Sequence, residues 1–110
     1  MNRYLIWFDL ADTAEDLDFV EALDAFLDGL RERELIAGWR LARRKLGFGP
    51  PELGEFQLEI ETEDLAQLER AFREVSRREG ETEERHAAVF SRIRNMRTGL
   101  YRDFPDPWRR

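Results

Sequence analysis

Cysteine is absent from this sequence, and histidine and lysine occur once each, at His86 and Lys45. Without thiols there are no disulfides, no thiolate metal ligands and no cysteine nucleophile, and the chain suits a reducing compartment. A single imidazole leaves only carboxylates as further metal ligands, and those favour weakly held hard ions, so neither a metal site nor a cofactor is expected. No apolar run approaches the roughly 20 residues of a membrane helix, and Met1-Asn2-Arg3-Tyr4 lacks the long apolar stretch of a signal peptide. Neither GxGxxG nor a GK[ST] ending is present, which removes the familiar phosphate loops. The expectation is a cytoplasmic protein with no membrane partner.

What the chain does contain is apolar material for one core. Of 110 residues, 42% are hydrophobic and 12% aromatic, too many for a disordered chain, and the length fits one domain over residues 1–110. The net charge of −6 disfavours general attraction to phosphate backbones. It is unevenly laid out: residues 1–36 carry 3 basic and 10 acidic side chains, 37–54 carry 4 and 1, 55–84 carry 4 and 11, and 85–110 carry 7 and 2. Apart from Lys45 every one of the 18 cationic residues is arginine, a bias that fits either genomic composition or use of its planar fork for carboxylate or phosphate.

Hydrophobic periodicity predicts the elements. Residues 3–9 read as a strand apolar on both faces, with Tyr4, Ile6 and Phe8 on one and Leu5 and Trp7 on the other, which belongs in the middle of a sheet. Asp12-Thr13-Ala14-Glu15 has the form of a capping box opening a helix that buries Leu17, Phe19, Val20, Leu23, Phe26, Leu27 and Leu30. A second strand is expected over 35–46, with Trp39 and Leu41 on one face and Arg40 and Arg44 on the other. Residues 47–54, with Pro50 and Pro51, must be a loop. Residues 55–61 alternate strictly, Phe56, Leu58 and Ile60 against Glu55, Gln57, Glu59 and Glu61. Thr62 is expected to cap a helix burying Leu65, Leu68, Phe72 and Val75, and Thr82 a shorter one after Gly80. Residues 95–102 favour a fourth strand over a longer helix, because Thr98-Gly99 is a poor helix interior. Residues 103–108 read as an extended, aromatic-bearing terminus. The order β, α, β, β, α, short α, β is the split βαβ pattern of an α+β, ferredoxin-like domain with a four-stranded antiparallel sheet and helices on one face.

The doubly apolar first strand, this element order and the extra helix holding His86 together resemble the dimeric α+β barrel superfamily. The stretches Arg43-Arg44-Lys45-Leu46-Gly47-Phe48-Gly49-Pro50 and Leu100-Tyr101-Arg102-Asp103-Phe104-Pro105 are similar to those of a small uncharacterised bacterial family. The resemblance implies a homodimer in which each open sheet face helps enclose a cavity. The superfamily includes cofactor-free oxygenases, haem-degrading enzymes, dehydratases and small-molecule-sensing modules, so it leaves the activity open.

Polar groups around an apolar centre mark the candidate ligand site on that open face: Trp7, Asp9, Arg40, Arg44, Gln57, Glu59, Arg97 and Tyr101. Arginine forks beside a flat indole suit a small anion or a polar-headed aromatic, although the same groups fit the rim of a filled dimer interface. His86 is the candidate general base, but in a helix after Glu83-Glu84-Arg85 it equally fits a surface or capping group. Gly47-Phe48-Gly49 faintly resembles an RNA-recognition strand, yet Pro50-Pro51 places it in a loop, so no nucleic-acid partner is expected. The readings are a small-molecule-binding protein or cofactor-free enzyme using an open-face cavity, and an interaction homodimer with a filled one.

Overall fold

The computed structural model describes residues 1–106; Pro107 and Trp108 of the expected tail lie outside the described residues. The elements are β1 (Asn2–Leu10), a 3-10 turn (Thr13–Glu15), α1 (Asp16–Glu32), β2 (Gly38–Arg43), β3 (Phe56–Thr62), α2 (Leu65–Ser76), α3 (Gly80–Phe90) and β4 (Ile93–Arg102). The strands form one sheet in the order β2-β3-β1-β4, antiparallel at every pairing. β1 is central, as its two apolar faces require. On the helix side Ile6, Phe8, Leu10, Phe56 and Leu58 pack against Phe19, Leu23, Phe26, Leu27 and Leu30 of α1. Phe8 stacks on Phe56 at 5.5 Å and tilts against Phe19 at 5.4 Å. Among the described residues no helix covers the opposite side of the sheet. No helix among the described residues is long and apolar enough to cross a membrane.

Element ends depart from the sequence reading for local reasons. Asp12 accepts from the Ala14 N–H at 2.9 Å and caps the 3-10 turn, so α1 begins at Asp16 and the buried stripe starts at Phe19; Leu17 is 80% exposed. At the other end of α1, Glu34 takes φ 60 while Leu35 and Glu34 donate to the carbonyls of Leu30 and Arg31, a Schellman motif without its usual glycine. Leu35 and Ile36 therefore belong to this cap, and β2 starts only at Gly38. β2 also ends early: Leu46 and Gly47, at φ 57 and 71, make a type I′ turn closed by the Phe48 N–H on the Lys45 carbonyl at 3.1 Å.

α2 is capped by Asp64, which accepts from the Gln67 N–H at 2.8 Å, while Gln67 reaches back to the Glu63 N–H; Thr62 is instead the buried last residue of β3. Leu65 is exposed, and Phe72 lies half out of the core. α3 starts before Thr82, whose hydroxyl accepts from Arg33 at 3.2 Å. β4 is the strand expected, two residues longer, with its pairing to β1 interrupted near Asn95, which takes φ 57. Gly54 is required: a Cβ there would collide with the backbone of Phe8, so the long loop closes directly onto β1.

Candidate functional site

Strand register decides which polar groups meet on the uncovered face. Across β1 and β3, Leu5 pairs with Glu59 and Trp7 with Gln57; across β1 and β4, Trp7 pairs with Arg97, Leu5 with Gly99 and Arg3 with Tyr101; Arg40 of β2 pairs with Glu59. Trp7, Arg40, Gln57, Glu59, Arg97 and Tyr101 thus share one surface. A Cβ on Gly99 would lie 3.0 Å from the Tyr101 ring and 3.5 Å from that of Trp7, so the absence of a side chain lets the two rings approach.

Most of the charge on this face is already spent. Glu59 accepts from Arg40 at 2.9 Å and from Arg3 at 3.2 Å, and Arg3 continues to Glu61 at 3.2 Å and Asp103 at 2.8 Å. The bond from Arg3 holds the Asp103 carboxyl below the usual carboxylate range. Asp9 accepts from the Glu55 N–H at 2.9 Å and from Asn95 at 3.1 Å, and those two bonds lower its pKa in that order. Arg44 turns away from the sheet and donates to the carbonyls of Pro50 and Leu53 at 2.8 and 2.7 Å, tying down the loop. Phe48, at the loop tip, is 81% exposed. Two hollows open at this end of the sheet, of ≈ 270 Å³ beside Asp9, Asn95 and Arg97 and of ≈ 230 Å³ beside Trp7, Arg44 and Phe48. Arg3 was absent from the sequence-derived set, though its place in the Arg3, Leu5, Trp7, Asp9 alternation puts it on this face.

The other side of the sheet holds a cavity of ≈ 350 Å³ between the strands and the helices. Its walls are apolar: Ile6, Leu27, Leu30, Ile36 and Ala71 are buried, while Phe72 and Met96, about half exposed, stand at the opening. The polar-bearing residues among its lining are Tyr4, Arg78 and His86. α3 delivers His86, whose side chain is half-buried and is not the helix cap, which is Glu79. It stacks on Phe90 at 4.4 Å and meets Phe26 edge-on at 5.5 Å. Burial pushes the imidazole below its ordinary pKa; Glu83, 4.0 Å away, opposes this and Arg78 adds to it. The shift favours the neutral ring, the form that accepts a proton. Among the described residues no three His, Asp or Glu side chains converge to hold a metal ion.

An antiparallel β2-β3-β1-β4 sheet with three helices on one face defines an α+β protein of the ferredoxin-like class. The chain belongs to the family described as "Family of unknown function (DUF6614)", whose model matches residues 1–110. It is similar in fold to At3g17210 from Arabidopsis thaliana, with TM-score 0.75 at 7% identity, covering 96% of this chain and 98% of that one. A dimeric ferredoxin-like protein of unknown function from Jannaschia sp. CCS1 superposes with TM-score 0.66 at 14% identity, covering 93% and 98%. Another, from Bacteroides fragilis NCTC 9343, gives 0.62 at 13% identity over 93% and 95%. No curated protein matches the chain.

Proposed function

We propose that the protein is a homodimeric small-molecule-binding protein: the open sheet face is the contact between copies, and the cavity under the helices takes the ligand. The observation that carries the binding half is that cavity, ≈ 350 Å³ of apolar wall with Arg78 and His86 among its lining. A concave apolar site with few polar groups is the usual form of a small-molecule site. The dimer half rests on Leu5 and Trp7, which are half-buried on a face no helix covers, and on the dimeric state of two proteins of similar fold. Arginines that already have carboxylate or carbonyl partners favour contact over ligand capture on that face.

A cofactor-free enzyme working in the same cavity is the second reading, favoured by the neutral imidazole of His86 facing apolar space. Filling the cavity tests the shared claim. Ala71 is 5% exposed and lines it, so Ala71→Leu places added methyl groups in the void. In a thermal-shift screen of small apolar and amphipathic compounds, those that raise the melting temperature of the wild type should fail to raise that of Ala71→Leu. Equal shifts in both proteins would place binding elsewhere.

A further inference from the structure

We infer that the ligand of this cavity is an aliphatic carboxylate of medium chain length, with its head on Arg78 and its chain among Leu27, Leu30 and Ile36; the inference rests on the binding reading above. Size sets the length. The hollow, ≈ 350 Å³ and open on one side, has room for an alkyl chain of about eight to ten carbons. Burial sets the direction. Leu27, Leu30 and Ile36 are at most 5% exposed and form the deep wall, whereas Phe72 and Met96 at 48% and 47%, and the Arg78 side chain at 70%, reach solvent, where a charged head stays near water.

Arg78 sets the charge. It lies between α2 and α3 and takes φ 56, a left-handed conformation that a non-glycine residue holds only at a cost. That conformation ends α2, where the Arg78 N–H donates to the Val75 carbonyl at 3.3 Å, and it leaves the guanidinium among the residues that line the cavity. Its ion-pair contact with Glu83 is loose, 3.9 Å, beyond hydrogen-bond range, and its side chain is 70% exposed. A planar fork in that state can pair both oxygens of an incoming carboxylate. Glu83 is not among the lining residues; one of its oxygens is buried without a hydrogen-bond partner, 4.0 Å from His86. Its charge opposes an anion from behind Arg78, which predicts the sign of a second substitution.

Calorimetric titration of the full chain with hexanoate, octanoate and decanoate, and with 1-decanol as the uncharged counterpart, tests the inference. Affinity for the wild type should rise roughly three- to fourfold per added methylene up to the length that fills the cavity. Arg78→Gln should weaken decanoate about three- to fivefold while leaving 1-decanol within twofold, and Glu83→Gln should strengthen decanoate. Circular dichroism checks that each variant is folded. If decanoate and 1-decanol bind the wild type equally, and Arg78→Gln changes neither, the carboxylate inference is overturned and the cavity reading stands. If neither compound binds, or if both bind Ala71→Leu as well as the wild type, the cavity reading itself falls.

Discussion

The two sides of this sheet are finished in opposite ways. On the open side, arginines and acids sit one strand apart and pair within the chain: Arg3 and Arg40 on Glu59, Arg3 on Glu61 and Asp103. On the helix side, Glu83 stands 3.9 Å from Arg78 and 4.0 Å from His86, too far for hydrogen bonds, and both partners line an apolar void. A paired network leaves its donors little to offer a ligand, and bringing it against a second copy does not strand a charge. Loosely held polar groups next to unfilled apolar space are the reverse case, because a bound molecule supplies both the missing contacts and the missing partner. Charge count alone therefore misleads. On the open side Arg3 and Arg40 already have carboxylate partners.

The strongest way to break this comparison is Trp7→Glu. It places an unpaired carboxylate at the apolar centre of the open face, and light scattering should show monomer or aggregate where the wild type at micromolar concentration is a dimer, with ligand binding by the cavity retained in any folded monomer. A wild type that is monomeric at that concentration contradicts the dimer half outright.

A smaller effect separates the sides by pH. The depressed pKa of His86 means the unfolded chain takes up a proton, near its ordinary 6.5, that the folded chain refuses. Its contribution to stability is therefore present above pH 6.5 and lost as pH falls from there through the depressed folded value. The lowered carboxyls, Asp9 and Asp103 among them, contribute above their ordinary value of 3.8 and lose that contribution only below it. Chemical denaturation between pH 7 and 5 should show a decline for the wild type that His86→Phe abolishes. An identical slope in both proteins would mean the imidazole is not desolvated.

The smallest expected effect is that of Glu59→Gln. Its partners Arg3 and Arg40 have side chains 27% and 70% exposed, so in a monomeric background the change should cost about 1 kcal/mol or less. Where a second copy covers the network, removing one charge strands the others and the cost should rise severalfold. Equal cost in both backgrounds, measured by denaturant unfolding, would show that the network stays in water.

The sheet was legible because a period of two survives in β1 and β3 wherever Phe, Leu, Ile and Glu alternate, and because Thr98-Gly99 argued against a helix. Pairing register then followed the apolar faces, which placed Trp7, Gln57, Glu59 and Arg97 together. Arg44 shows where alternation stops being a guide: the I′ turn at Leu46 and Gly47 ends β2 at Arg43 and sends the next side chain to loop carbonyls. The cavity was not legible for a different reason. Periodicity says which face of α2 is apolar, but not that a hollow lined by Ala71 stays open beside it while Phe72, 48% exposed, meets Tyr4 of β1 edge-on at 5.2 Å. Nor does any local signal announce an arginine in the left-handed region, whereas Gly80, two residues later, announces itself.

Two reporters separate the sides within one sample. Met96 lines the cavity, the other methionine is Met1 at the chain start, and Trp7 sits at the centre of the open face. Carbon-13 methyl and indole N–H spectra recorded during a decanoate titration, and again on dilution, are the most direct measurement. The account predicts that decanoate moves the Met96 methyl and leaves the Trp7 indole in place, while dilution moves Trp7 and leaves Met96 alone. Decanoate moving the Trp7 indole with no change at Met96 would contradict it.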